Sequence, residues 1–181
     1  GKGVDRNAPA SYADRDFFIE HQANPGNQLI IAGPLVGRVS KIPVMAFTRS
    51  FRNQDGSLGG IVSAAVPVSE FTNLLSRLEL GQHGSAVIRH SDRSLITRYP
   101  SVDGPGGITG DKNSSPEFAQ AVASGKVSGS FHTLLAPDGI ERSYAFRRIA
   151  NFPALALVGL APQDYLDNWY REVRKTALML D

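Results

Sequence analysis

The run Met45-Ala-Phe47-Thr-Arg49-Ser-Phe51 alternates large and small side chains and ends at the turn Asn53-Gln54-Asp55-Gly56. A small, β-branched segment from Gly60 to Val66 follows, and then Pro67, Ser69, Glu70 and Phe71. This order predicts a strand, a tight turn, a strand buried on both faces, and a helix entered through a proline with an acidic first turn. The same order recurs further along the chain. Tyr144, Phe146 and Arg148 lead into Asn151-Phe152-Pro153, followed by Ala154 to Leu160 and by Pro162, Asp164 and Tyr165. Two small sheet modules in tandem point to a receptor or scaffold rather than an enzyme.

Working outward, the 181 residues are 41% apolar and 20% charged, enough for one domain or two small ones with a real core. The net charge is +2, with 19 basic residues interspersed among 17 acidic ones, so the footprint of a nucleic-acid-binding surface is missing. No cysteine is present, which excludes disulfide frameworks, thiolate metal sites and cysteine nucleophiles. The longest apolar stretch, Phe152 to Ala161, is about half of the roughly 20 residues that a membrane span needs, and no signal segment opens the chain.

The second module, residues 69–181, is complete in outline. Phe71, Leu74, Leu75 and Leu78 mark a helix from Ser69 to Leu80 closed by Gly81. A hairpin pairs Ala86–Ile88 with Leu95–Thr97, and residues 100–115 form a long loop rich in Gly, Pro, Asp and Ser. Ser115, Pro116 and Glu117 open a short helix that Gly125 ends. Strands follow at Val127–Leu134, Glu141–Ile149 and Ala154–Leu160, the first two joined by Pro137-Asp138-Gly139. The first module, residues 1–68, has a loop up to Ala13, a helix over Asp14–His21, a strand near Leu29–Ile31 and the two strands of the repeat. It lacks a counterpart of residues 69–98, so the natural protein is expected to continue upstream of Gly1. Tyr165, Trp169, Tyr170, Val173 and Leu178 form a helical stripe that becomes more apolar toward the end, the way a helix approaches a membrane span.

At Tyr12-Ala-Asp14-Arg15-Asp16-Phe17-Phe18 the chain resembles the Cache (double PAS-like) extracytoplasmic sensor domains of bacterial receptors, as found in front of diguanylate cyclases and histidine kinases. The likeness continues through Ile31-Ala-Gly-Pro34, Gly37-Arg-Val-Ser-Lys41, Asp55-Gly56, Gly84-Ser-Ala-Val87, Arg98-Tyr99-Pro100, Asp138-Gly139 and Tyr144-Ala-Phe-Arg147-Arg148. The resemblance implies an α+β fold of two PAS-like modules, each an antiparallel sheet flanked by helices. The distal module would bind a small ligand, and the membrane-proximal one would relay the signal down the last helix. It also implies a periplasmic position, tethering by adjoining spans, and a cyclase or kinase output elsewhere in the protein, with homodimerisation left open. Amino-acid-sensing relatives place an aspartate on the last strand of the distal sheet. Here that strand reads Ile61-Val-Ser-Ala-Ala-Val66, so a ligand ammonium has no charged partner on it and an organic acid is the first choice.

The residues themselves point the same way. Arg49 shares a strand face with Met45, Phe47 and Phe51, and a guanidinium in an apolar row needs an anion or many acceptors. Arg15 stands at the start of a short helix, and Arg38 and Lys41 lead into the same strand. The expected ligand-binding set is Arg15, Phe18, Lys41, Phe47, Arg49 and Ser63, with Val62 as an alternative wall. The structural alternatives are that Arg15 pairs with Asp14 or Asp16 and that Arg49 bridges to a carboxylate.

Neither a cofactor nor a metal is expected. His21, His83, His90 and His132 are scattered without ligand spacing and read as surface residues. No Gly-x-Ser-x-Gly elbow occurs, and Gly104-Pro-Gly-Gly-Ile-Thr-Gly110 reads as a loop rather than a phosphate cradle. Two other classes remain: a small hydrolase or transferase using Asp14, Arg15 and His21, and a scaffold whose sheets merely dimerise.

Overall fold

The computed structural model describes residues 11–24 and 26–166. The chain divides into two units, Gly1–Phe71 and Thr72–Asp181. In the first, helix α1 (Asp16–Ala23) precedes strands β1 (Ile30–Val36), β2 (Pro43–Arg52) and β3 (Leu58–Pro67), which form an antiparallel sheet in the order β1-β2-β3. The turn between β2 and β3 closes as the sequence predicts: Gly56 N–H donates to Asn53 O (3.0 Å), and Gly56 takes φ +81°, a region that favours glycine. Helix α1 begins at Asp16 rather than Asp14, because Arg15 holds an extended N-cap conformation and its N–H closes a turn onto Tyr12 O.

One face of β2 carries Val44, Ala46, Thr48 and Ser50, all buried, and Ala46 packs with Phe17 of α1 and Ile30 of β1. The other face carries Met45, Phe47, Arg49 and Phe51, of which Met45 is fully buried and Arg49 exposed. The expectation that Gly60–Val66 is buried on both faces does not hold. Among the described residues β3 is an edge strand, and Val62 is 67% exposed. His21 also departs from its surface reading. It is fully buried, its Nε2 hydrogen-bonded to Thr48 Oγ1 at 3.0 Å.

Helix α2 (Val68–Leu75) follows β3 directly and is shorter than its apolar spacing predicts. Beyond Leu75 the backbone tightens into i→i+3 bonds, Arg77 N–H to Leu74 O and Leu78 N–H to Leu75 O, so the regular helix stops well before Gly81. The second unit then builds β4 (Ser85–His90), β5 (Leu95–Tyr99), α3 (Pro116–Ala123), β6 (Ser128–Thr133), β7 (Arg142–Arg148) and β8 (Ala154–Leu160). These five strands form one antiparallel sheet in the order β5-β4-β8-β7-β6. Ser115 caps α3 by accepting from Phe118 N–H at 3.2 Å, with proline in the first turn. Phe118 then packs on Val87, Leu155, Leu157, Tyr144 and Phe146 of the sheet.

Two glycines make this packing possible. Tyr144 lies opposite Gly159, and its ring crosses that glycine to hydrogen-bond Ser85 Oγ at 2.8 Å on the next strand but one. Phe146 lies opposite Gly129 in the same manner, where a Cβ would meet its ring at 2.9 Å.

The sheet's two edges are drawn together over this face. Strands β5 and β6 are the outermost, yet Arg98 of β5 reaches Asp138 Oδ2 in the β6–β7 turn at 2.9 Å. Arg142 of β7 takes Asp138 Oδ1 at 2.7 Å and donates through Nε to His83 O. The two arginine side chains are 3% and 2% exposed, so their charges depend on this one carboxylate. The loop of residues 100–115 is held by Arg89, which donates to Arg93 O (2.7 Å), Asp111 O (3.3 Å) and Asn113 O (2.7 Å).

Residues 162–166 continue as helix, and Asp164 accepts from His83 N–H and contacts His83 Nδ1, both at 2.8 Å. The rest of the C-terminal stripe, Trp169, Tyr170, Val173 and Leu178, lies outside the described residues. No described helix is long and apolar enough to cross a membrane.

Asp138→Asn leaves two buried guanidiniums without a counter-charge and is expected to destabilise the protein by about 3–5 kcal/mol. Burial opposes ionisation of Asp138, but Arg142 and then Arg98 outweigh it and hold the carboxyl below its ordinary 3.8. A carboxyl depressed on folding stabilises above its unfolded pKa and loses that contribution as pH falls through the folded one. The urea midpoint should therefore fall below about pH 4 in the native chain, and this part of the fall should vanish in Asp138→Asn. Gly159→Ala pushes the Tyr144 ring aside and should cost about 1–3 kcal/mol in the same urea titration.

Candidate functional site

In the first unit, the short loop between β1 and β2 and the start of α1 converge on the buried face of β2. They leave a cavity of about 740 Å³, lined by Tyr12, Arg15, Phe17, Phe18, Arg38, Val44, Ala46, Ile61 and Ser63 together with neighbouring residues that carry no charge. The period of two along a strand decides which residues can line it. Val44 and Ala46 pair with Pro67 and Ala65, and Ser50 with Ile61, so one common face of β2 and β3 forms the floor. Phe17 and Phe18 form part of the wall.

Arg15 is the distinctive group in this cavity. Its Nη2 donates to Val36 O at 2.9 Å, while its buried Nε has no partner. Neither Asp14 nor Asp16 forms an ion pair with it among the described residues. Asp14 instead binds Arg38, whose Nη1 donates to Ser11 O and whose guanidinium lies 5.8 Å from the Tyr12 ring centroid. The Arg38 hydrogen bond holds the Asp14 carboxyl below its usual range. The two cations therefore differ: Arg38 is neutralised at the rim, and Arg15 is not. No carboxylate lines the cavity among the described residues.

Of the six residues expected to bind ligand, the structure brings Arg15, Phe18 and Ser63 to this cavity and leaves Lys41, Phe47 and Arg49 out of its lining. Phe47 and Arg49 share a face with Met45, as their spacing predicts, but it is the opposite face of the sheet. Val62 is on that far side too. Lys41 is exposed in the β1–β2 loop at φ +57°, its N–H closing a turn onto Gly37 O. Sequence reasoning assigned no role in the site to Val44 or Ala46. Their small-and-apolar alternation was visible, but the side covered by α1 was not.

Asp14, Arg15 and His21 do not assemble as a catalytic set. Asp14 is bound to Arg38, and His21 to Thr48 in the core. Thr48 Oγ1 lies 3.0 Å from His21 Nε2 and 3.2 Å from Ile30 O, and the buried His21 Nδ1 has no partner among the described residues. Among the described residues no group of three or more His, Cys, Asp or Glu side chains could hold a metal.

The family model dCache_1_like, described as a histidine kinase sensor domain, matches residues 68–159. The chain belongs to the dCache_1-like histidine kinase sensor domains. Solved structures agree with this sensor-domain fold. The extracellular domain assigned to histidine kinase rpHK1S-Z16 is 26% identical with a TM-score of 0.73, the match covering 88% of this chain and 64% of that one. The periplasmic sensory domain of the Campylobacter jejuni chemoreceptor Tlp1 is 14% identical with a TM-score of 0.70, over 86% of this chain and 58% of that one. The ligand-binding domain of the Pseudomonas fluorescens chemoreceptor CtaA, in complex with L-isoleucine, is 10% identical with a TM-score of 0.58, over 88% and 62%. The sensor domain thus spans less than two thirds of the length of each of these structures. No curated protein matches it. The family is one of sensing rather than catalysis.

Arg49→Ala in the sensor domain removes an exposed side chain with no carboxylate partner among the described residues. It should change stability by no more than about 0.5 kcal/mol. Chemical denaturation checks this directly.

Proposed function

We propose that the chain is the extracytoplasmic ligand-sensing part of a membrane-bound signalling receptor and that the cavity of its first unit takes a small organic acid. The two units are read as tandem PAS-like modules, the first receiving the ligand and the second passing the signal toward a kinase or cyclase output through the C-terminal segment. Adjoining spans would tether the domain to the inner membrane, facing the periplasm, and pairing of two copies there is compatible with this arrangement.

The observation that carries the ligand reading is the unpartnered, buried Nε of Arg15 at the lining of a large, aromatic-walled cavity. A buried guanidinium N–H without an acceptor is costly, and a carboxylate supplies the acceptor together with the compensating charge. Amino acids are the second class to consider, because similar folds from other receptors were solved with asparagine and with L-isoleucine. Those structures are 15% and 10% identical and speak for the fold alone. Among the described residues no carboxylate in the lining is there to pair with an ammonium, which favours acids without an amine.

Calorimetry against a panel of mono- and dicarboxylates and the matching amino acids tests this reading. An organic acid should bind without being turned over, and Arg15→Ala should weaken it by roughly ten- to hundredfold, the equivalent of about 1.5–3 kcal/mol for a charge-assisted contact. Arg49→Ala should bind as the native chain does. Equal affinity of Arg15→Ala and native protein for every acid on the panel would overturn the assignment, and turnover of any member would favour an enzyme.

A further inference from the structure

The second unit has a separate cavity of about 40 Å³ on the covered face of its five-stranded sheet, among Arg89, Arg98, Ser114, Phe118, Phe131 and Leu157. One water needs roughly 10–15 Å³ on this measure, so the space takes about three water-sized groups. That is the size of formate or acetate.

Its charge is unusual for a place lined by buried side chains. Arg89 and Arg98 are 4% and 5% exposed. Arg89 donates only to main-chain carbonyls and lies 5.7 Å from the Phe118 ring centroid, with no carboxylate in ion-pair contact among the described residues. Arg98 engages Pro100 O through Nε and Asp138 through Nη2, and Asp138 is already shared with Arg142. Three buried guanidiniums therefore have one carboxylate in contact between them. Asp111, which attracts Arg89, turns its side chain to the N–H groups of Gly106 and Asn113. Burial depresses the pKa of Arg89, attraction to Asp111 opposes this, and repulsion by Arg98 adds to the depression. Two like charges thus flank a cavity with apolar walls. Carbonyl dipoles satisfy donors but do not cancel a net charge, and an anion placed between the two arginines would.

We propose that this cavity is a second ligand site, one that takes a short monocarboxylate of the acetate class. The carboxylate lies between Arg89 and Arg98, accepting from N–H groups beyond those that hold the loop carbonyls, Pro100 O and Asp138, and the alkyl end packs against Phe118, Phe131 and Leu157. The site is independent of the cavity in the first unit and differs from it in the size of acid admitted.

The test is NMR on the 181-residue chain with methyl-¹³C acetate. Saturable intermolecular NOEs should connect the acetate methyl to the ring protons of Phe118 and Phe131. They should persist in Arg15→Ala and be displaced by formate. Arg98→Gln leaves Asp138 paired with Arg142 and should weaken acetate at least tenfold. NOEs confined to Phe17 and Phe18, no saturable NOE at all, or an unchanged acetate affinity in a folded Arg98→Gln would overturn the proposal. The NOE assignment uses the unaltered chain, so it decides alone should Arg98→Gln fail to fold.

Discussion

One carboxylate, Asp138, closes the second unit. It sits in a tight turn between two edge-side strands, yet it accepts from Arg98 on the far edge of the sheet and from Arg142 beside it. Because both arginines are buried, their desolvation is tolerable only while Asp138 is ionised and in place. The contact draws β5 toward the β6–β7 turn and so gives the sheet a covered face. The aromatic core of Phe118, Phe131, Tyr144 and Phe146 fills that face, and the loop of residues 100–115 runs beside it, with Gly106 close against Pro137. Loss of this carboxylate would disturb the hairpin, the edge strand and the core at once.

The first unit is organised by the start of a helix rather than by an ion pair in a core. Arg15 is the N-cap residue of α1, in an extended conformation that directs its side chain toward the β1–β2 loop, where Val36 O takes one of its N–H groups. The first turn of the helix supplies Phe17 to the core and Phe18 to the cavity wall, while His21 and Thr48 lock the helix onto β2 and Arg52 binds the carbonyls at its end. A short helix pinned at both ends by side-chain bonds presents its first turn in a defined place. That is the precondition for a binding group to be pre-organised.

Much of this was legible in the sequence, and the failures share one cause. Helix α3 announces itself through Ser115 and Pro116, and the β2–β3 turn through Asp55-Gly56, because caps and turns are local physics. The strands of the second unit fall where their alternation placed them. What a local pattern does not carry is position within a sheet. Gly60–Val66 and Ala154–Leu160 read alike, small and apolar, but the second is central and the first lies at an edge with much of its surface exposed. The alternation of Met45, Phe47, Arg49 and Phe51 correctly put them on one face, and nothing in it could say that α1 covers the other. Asp138 was readable as a turn residue only, since its two partners come from 40 residues before and four after.

The way Arg89 holds the long loop has a consequence for how freely that loop can change. All three of its hydrogen bonds end on main-chain carbonyls, at Arg93, Asp111 and Asn113. A carbonyl is the same whatever side chain follows it, so a guanidinium that reads the backbone is indifferent to the residues it fastens. Asn113 can therefore change while its attachment to Arg89 is kept, whereas Asp111 is also fixed by its own carboxylate, which accepts from Gly106 and Asn113 N–H, and Arg89 itself cannot be exchanged for lysine without losing its fork of donors. Where only a carbonyl is gripped, the loop can vary in composition and stay attached through a residue that belongs to the strand beneath it.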